Sequence, residues 1–377
     1  MRLHISGLQG SAAALLLAGL PEYGTTTLFI ANDPEEAGYL YNDFMQIRND
    51  NRVLFFPSGY KRALKYGQTD PAADILRTDT INRLQQADES LIVVTYPEAL
   101  CEKVASNEEL HRNTLRLAKG EKCDLASVAD FLTGYGFERV DYVYEPGQFA
   151  VRGSIVDVYS FSSDLPYRID TFGDEIESIR AFNIDTQLSQ DPVNEIFIIP
   201  DLQAGSTSGI SLLQFIDKNT LLAVKDLAWV LERMHSVATD TISQQLLLTE
   251  EGDLHAKEKL IDTDDFSRYV LDFKRIDYGV KSFRDETGAT LSLNCSPQPI
   301  YHKNFDLVSE SFSSLLQDGY KLYILSDSEK QTQRIANIFE DKGENIPFTP
   351  VSKTLHEGFI DNELHLCFFP DHQLFDR

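Results

Sequence analysis

Several features that would assign a function directly are missing from this 377-residue sequence. Its four cysteines lie far apart, without zinc-ligand spacing or a disulfide framework, so we expect a reducing cytoplasmic location. No apolar run approaches the roughly 18 residues that cross a membrane, so we expect no membrane partner. The net charge of −25 argues against a broad contact with nucleic acid, which needs clustered lysine and arginine.

The missing residue with the greatest consequence is a lysine. The stretch "SGLQGSAAALLLAG", residues 6–19, has the rhythm of a phosphate-binding loop followed by a helix, with Gly7 and Gly10 in the turn. In such a loop a lysine reaches the β- and γ-phosphates, and the next residue's hydroxyl holds magnesium. Ala13 and Ala14 stand in those two positions and supply neither group. No apolar strand ends in the Asp-Glu pair of a motor ATPase. We therefore predict a degenerate phosphate loop, no catalytic residues and no cofactor.

Two other interpretations of short stretches are weaker. His365, Asp371 and His372 come nearest to a metal-ligand cluster, but they follow an apolar run, and we interpret them as a strand end and predict no metal. Arg2 followed by "AAALLLAGL" could begin a secretory signal. The apolar run is short, however, and no small-residue cleavage site follows it.

The periodicity of the chain changes twice. Up to about residue 115, apolar runs such as "LHIS", "TTLFIA" and "SLIVVTY" alternate with helical patterns, which predicts a parallel α/β sheet. From about 117 to 203 a helix and short strands joined by turns predict an α+β insert with an antiparallel sheet. The small-residue linker "LQAGSTSG", 202–209, precedes a return to the α/β rhythm. The abrupt end after "LFDR" suggests a fragment of a longer protein.

The insert carries the most distinctive motifs. Its blocks "EPGQFAVRGSIVDVY" and "YRIDTFGDEIESIR" closely resemble the second domain of the transcription-repair coupling factor Mfd and of its relative UvrB. The flanking segments match more loosely but in the right order. The resemblance implies a helicase-like α/β domain with a degenerate P-loop, interrupted by domain 2. We expect domain 1a at 1–116, domain 2 at 117–203 and domain 1b at 204–377.

Three departures favour the coupling factors over UvrB. A UvrB protein is expected to have an intact phosphate loop, a long tyrosine-rich β-hairpin and an arginine just before "VRG". Here the loop reads "GLQGSAAA", the stretch after Phe56 is too short for that hairpin, and position 150 is alanine.

The resemblance then implies a role for the chain. The corresponding module is catalytically silent and recruits UvrA, the damage sensor, to an RNA polymerase stalled at a lesion. The UvrA-binding residues carry over to Arg152, Arg168 and Phe172. RNA polymerase and DNA would be contacted only by parts of the parent protein outside this sequence, among them an ATP-dependent translocase motor. We expect a monomer. The alternative is a UvrB-like module that binds nucleotide or DNA with residual ATP-dependent activity.

The residues themselves are compatible with a binding surface. Arg168 and Phe172 lie four apart on one predicted strand and therefore on one face. Gly153 beside Arg152 suggests a β-bulge that re-aims the arginine. Arginine and aromatic residues dominate binding energy at interfaces. Without the resemblance, the residues favour an ordinary sheet with two solvated arginines and a core phenylalanine.

Overall fold

A computed structural model describes residues 1–59, 71–86, 89–161, 163, 165–200, 209–246, 260–279 and 288–375. Helices and strands are numbered along the chain. The helices are α1 Ala12–Leu17, α2 Pro34–Arg48, α3 Pro71–Gln86, α4 Pro97–Cys101, α5 Asn107–Asn113, α6 Leu125–Gly134, α7 Leu212–Phe215, α8 Leu227–Leu246, α9 Thr263–Val270, α10 Phe305–Gln317, α11 Glu329–Asp341 and α12 Asp371–Leu374, with a 3-10 turn at Leu20–Tyr23.

A seven-stranded parallel sheet is built from strands that precede the insert and strands that follow it. Its strands are β1 Arg2–Ser6, β2 Thr27–Ile30, β3 Val53–Phe55, β4 Ile92–Thr95, β13 Leu221–Val224, β14 Lys274–Asp277 and β15 Ala289–Ser292. The spatial order is β15-β1-β14-β13-β2-β4-β3, and every neighbouring pair is parallel. The predicted α/β fold interrupted by an inserted domain is therefore confirmed.

The core of this sheet explains its strand sequences. Strands β2 and β4 are buried at every residue, as their unbroken apolar runs require of parallel strands covered on both faces. Phe29 of β2 packs against Phe44 of α2, with ring centroids 4.6 Å apart. The helix begins at an Asp33 N-cap, whose side chain accepts the backbone N–H of Glu36.

The insert forms an antiparallel sheet with one helix against it. Its strands are β6 Glu138–Arg139, β7 Gln148–Arg152, β8 Ile155–Val158, β9 Tyr167–Phe172, β10 Glu175–Phe182 and β11 Ser189–Val193, in the order β11-β10-β9-β8-β7-β6. Only the short β6–β7 pair is parallel. Beside the sheet, β5 Leu115–Ala118 and β12 Glu195–Ile198 pair antiparallel, so the chain enters and leaves the insert through one two-stranded ribbon. One face of the large sheet packs on α6 through residues such as Leu132, Phe149 and Ile169.

The strands after residue 294 do not join the first sheet. They are β16 Cys295–Pro297, β17 Lys321–Leu325, β18 Thr349–Val351, β19 Phe359–Asp361 and β20 Leu366–Pro370, in the order β16-β19-β20-β17-β18. This mixed sheet has its own core, with Phe312 stacked on Phe369 at 5.2 Å. The division at 116 and 203 stays a prediction, and almost all of the linker 202–209 lies outside the described residues.

None of the helices in the described part of the chain combines the length and the apolar character needed to cross a bilayer.

Candidate functional site

The antiparallel sheet of the insert has one apolar face and one face that carries charge. Along β9, Ile169 and Thr171 are buried toward the core, so Arg168 and Phe172 share the opposite face, as their spacing predicts. Asp157 of β8 lies directly opposite Arg168 in the strand register. The charged face is therefore built by neighbouring strands rather than by one motif.

A buried carboxylate holds the two predicted arginines together. The Asp157 side chain has no exposed surface. Arg168 donates through Nε to Oδ1 at 2.7 Å and through a terminal nitrogen to Oδ2 at 2.8 Å, which is a bidentate pair. Arg152 donates to the same Oδ2 from the other side. The hydrogen bond with Asp157 raises the pKa of Arg168 above its ordinary value.

Aromatic rings and main-chain carbonyls complete the arginine environment. The Arg168 guanidinium lies 4.6 Å from the centre of the Phe182 ring, and that of Arg152 lies 5.1 Å from the Tyr142 ring. Arg168 also donates to the carbonyl of Gln187 at 3.1 Å, and Arg152 to a main-chain carbonyl at 3.1 Å. The arginines are thus fixed in position rather than freely solvated.

Phe172 ends β9 with its ring in solvent. It is 81% exposed, so the interpretation as a core phenylalanine is wrong. The strand stops there because Gly173 and Asp174 form the turn to β10, with Gly173 at a φ of 66°. A phenylalanine held on a rigid hairpin end is a large apolar contact surface available to a partner.

The prediction of a bulge at Gly153 is wrong. Arg152 pairs with Ile155, so Gly153 and Ser154 form a two-residue hairpin turn between β7 and β8. Gly153 has a φ of 64°, which this class of turn requires and which glycine adopts most easily. Arg152 is therefore aimed by its place at the end of a hairpin strand.

The second candidate site is the glycine loop between β1 and α1. Gly7 has a φ of 80° and Gly10 a φ of 51°. A side chain at Gly7 would place its Cβ 1.8 Å from the carbonyl oxygen of Leu293, and one at Gly10 would come within 2.7 Å of the Gly358 carbonyl oxygen. Both glycines therefore permit later segments of the same chain to approach the loop closely.

The segment 356–358 from the five-stranded unit docks on this loop. Ser11 donates its backbone N–H to the Glu357 carbonyl at 3.1 Å, and its Oγ accepts the Glu357 N–H at 3.0 Å. The backbone N–H of His356 donates to Asp43 at 2.6 Å. The His356 ring stacks on Tyr39, with ring centroids 3.4 Å apart. Polar groups at the turn are thus already occupied by protein.

A cavity of about 790 Å³ remains beside the loop, at the carboxyl edge of the parallel strands. Ala13 and Ala14 line it. So do five carboxylates and one lysine, namely Asp33, Glu35, Glu36, Asp43, Glu357 and Lys225. Lys225 is paired with Glu36, so it adds no unopposed positive charge. Burial lowers the pKa of His356, which disfavours a positive charge on its imidazole.

The N-terminus of α2 also faces this cavity, and two of the backbone N–H donors there are bonded to carboxylates of the same turn. Asp33 accepts the N–H of Glu36 at 2.8 Å, and the Glu36 carboxylate accepts the N–H of Asn32 at 2.9 Å. Burial raises the pKa of Asp43 to about 6. This value is still below neutral pH, so the ionised Asp43 adds negative charge there. Phosphate sites use free N–H donors and nearby cations. This cavity is lined by carboxylates instead, and they disfavour an anion.

The C-terminal histidines serve separate contacts. His365 stacks on Tyr320, Asp371 accepts the Ser326 hydroxyl at 2.9 Å, and His372 Nε2 meets the His356 carbonyl at 2.9 Å.

Comparison with known proteins identifies the insert. Residues 115–203 match the family model of the UvrB interaction domain. The chain is similar to the transcription-repair-coupling factor of Bacillus subtilis, 22% identical over 94% of this chain and 36% of the relative. It is also similar to the Escherichia coli transcription-repair-coupling factor, 31% identical over 51% of this chain and 17% of the relative. The chain therefore contains a UvrB interaction domain, and it is similar to the transcription-repair-coupling factors over most of its length.

Of these two relatives, the Bacillus subtilis protein is matched over the larger share of its own length. This chain spans 36% of that protein. Arg152, Arg168 and Phe172 all lie inside the UvrB interaction domain, whereas the glycine loop lies outside it.

Sequence reasoning missed two residues of the charged face of the UvrB interaction domain. Asp157 had a signal, because one acidic residue interrupts the apolar run of "SIVDVY". Tyr142 had none beyond its place in a turn. The docking of 356–358 on the glycine loop joins positions more than 300 residues apart, and the sequence gives no local indication of it.

Proposed function

We propose that this module is an adaptor that binds UvrA through the charged face of its UvrB interaction domain and so recruits UvrA to a stalled RNA polymerase. The observation that carries the proposal is the exposed Phe172 on the same sheet face as two arginines fixed by Asp157. Exposed aromatic and arginine side chains on a rigid scaffold are the residue types that anchor protein interfaces. The complementary surface would offer an apolar pocket and a carboxylate.

We further propose that the module hydrolyses no nucleotide. Ala13 and Ala14 lack the charge and the hydroxyl of a working loop, five carboxylates surround the cavity, and backbone from 356–358 occupies the turn. The cavity volume of about 790 Å³ keeps the nucleotide-binding alternative open to test. Calorimetry with magnesium and ATP would show saturable heat if that alternative held.

The activity of the parent protein is also a proposal. We infer an ATP-dependent DNA translocase whose motor, polymerase contacts and DNA contacts lie outside this sequence. The module itself would act as a cytoplasmic monomer.

The test is a titration of the module with purified UvrA, comparing the wild type with Phe172→Ala. Because Phe172 is 81% exposed, its truncation removes contact area without opening the core. We expect binding to weaken about 30-fold, the effect of losing one interface anchor. Tyr23→Ala is the matched control, since Tyr23 is an aromatic residue 85% exposed outside the interaction domain.

The outcomes separate the alternatives. Tight wild-type binding that Phe172→Ala weakens and Tyr23→Ala preserves supports the adaptor. Equal binding by all three proteins would reject this surface, and absence of wild-type binding would reject the adaptor itself.

A further inference from the structure

We propose that Asp157 is a positioning residue that holds Arg152 and Arg168 as one preformed cationic unit for recognition of an acidic partner surface. The inference rests on the proposed UvrA-binding function and assigns different roles to the two arginines. Arg168 is the support, and Arg152 together with Phe172 makes the contact.

The strand register places the three groups. Asp157 pairs with Ala150 on β7 and with Arg168 on β9, so it sits in the middle strand of the three. Arg152 follows Ala150 by two residues on the same face and reaches Asp157 diagonally. The carboxylate is therefore flanked by one arginine from each neighbouring strand.

The hydrogen bonds divide the arginines by what remains accessible. All three nitrogens of Arg168 donate within the domain, to both Asp157 oxygens and to the Gln187 carbonyl. Its side chain is 21% exposed, against 37% for Arg152. Arg152 therefore presents the more accessible guanidinium edge, on the same sheet face as the exposed Phe172.

Preorganisation is the physical benefit of this arrangement. A free arginine side chain loses rotamer freedom when a partner immobilises it. Here that cost is met during folding, because Asp157, the Tyr142 ring and a main-chain carbonyl already orient Arg152. Within this group of three, one carboxylate against two guanidinium groups leaves one positive charge unbalanced.

The sign of one substitution distinguishes positioning from charge. Asp157→Asn removes a negative charge from the face and raises its net positive charge. If charge alone governed recognition of an acidic partner, the variant would bind more tightly, above all at low salt. If Asp157 positions the arginines, the variant binds more weakly despite the added positive charge.

The experiment titrates purified UvrA into wild-type module, Asp157→Asn, Arg152→Ala and the double variant, well below the unfolding temperature. Circular dichroism fixes the folded fraction of each sample. We expect Asp157→Asn to weaken binding about tenfold in the fully folded protein. On the Arg152→Ala background the same change should cost about threefold or less, because the residue it positions is gone.

Unchanged or tighter binding by folded Asp157→Asn would overturn the positioning role. So would an equal effect on both backgrounds. The Phe172→Ala variant distinguishes failure of the positioning role from failure of the adaptor function. If Phe172→Ala weakens UvrA binding and Asp157→Asn does not, the adaptor function is supported and only the positioning role is rejected.

A measurement on the wild type covers the case in which Asp157→Asn does not fold. In nuclear magnetic resonance spectra of the free module, we expect resolved and motionally restricted Nε–H signals for Arg152 and Arg168. A freely averaging Arg152 side chain would contradict preorganisation directly.

Discussion

We expect the stability of the contact between 356–358 and the glycine loop to depend on pH through Asp43. The residue is only 3% exposed, and burial raises its pKa from an ordinary 3.8 to about 6. Hydrogen bonds from the Ser11 side chain and from the His356 N–H lower the pKa of Asp43 but do not offset burial. At neutral pH the folded protein therefore contains a buried ionised carboxyl.

The sign and size of the effect follow from the two pKa values. Between pH 3.8 and about 6 the folded state binds the proton that the unfolded state has released, so the free energy of unfolding falls as pH rises through this window. At about 1.4 kcal/mol for each pH unit, the loss approaches about 3 kcal/mol by pH 7. Asp43→Asn keeps an oxygen acceptor for His356 but cannot ionise.

The assay is urea unfolding of the wild type and Asp43→Asn at several pH values from 4 to 7. We expect the stability of the variant relative to wild type to rise by about 2 kcal/mol between pH 4 and pH 7, because the first part of the change falls below pH 4. Asp50→Asn is the control. Burial alone would raise the pKa of Asp50, but hydrogen bonds from Arg48 and Arg52 outweigh it and lower the pKa to about 2. Asp50 therefore contributes its full stabilisation above about pH 5, and this is lost only as pH falls toward 2. The stability difference between wild type and Asp50→Asn should be constant over about pH 5–7.

A stability difference between wild type and Asp43→Asn that stays constant from pH 4 to 7 would refute the reasoning. It would mean that Asp43 is hydrated in solution and that the contact with His356 does not bury it.

Two further changes test the glycine loop. Ala13→Lys combined with Ala14→Thr restores the residue types of a working loop. We still expect calorimetry to detect no MgATP binding up to about 1 mM, because the carboxylates and the docked backbone remain. Saturable binding below that concentration would contradict this expectation. Gly10→Ala should lower the free energy of unfolding in urea by about 1–3 kcal/mol, since alanine would adopt a φ of 51° with its Cβ 2.7 Å from a carbonyl oxygen. Gly19→Ala is the control, because Gly19 has a φ of −82° and open space where a Cβ would lie, and it should change stability by less than about 1 kcal/mol. Equal effects of Gly10→Ala and Gly19→Ala would show that the loop is not tightly packed.

Local patterns in the sequence predicted much of the fold. Unbroken apolar runs such as Ile92–Thr95 predicted buried parallel strands, and residue spacing placed Arg168 and Phe172 on one face. These inferences succeed because strand periodicity and burial leave a signal within a few neighbouring residues. The two interpretations that failed, a bulge at Gly153 and a core position for Phe172, depended on which strands pair and what covers them.

The membership of the sheets was beyond local reasoning. The strands Leu221–Val224 and Lys321–Leu325 have similar apolar patterns, yet the first joins the seven-stranded sheet and the second joins a separate five-stranded sheet. Periodicity reports that a strand is buried. It does not report its neighbours, which are selected by packing over long sequence separations.

The sequence by itself determined the α/β alternation, the antiparallel insert and the absence of lysine and hydroxyl from the glycine loop. Only the tertiary structure brought Asp157 between two arginines on adjacent strands and brought Glu357 to Ser11. The reason is that a buried charge must find its partners in space, and those partners come from whichever strands and segments the fold places beside it.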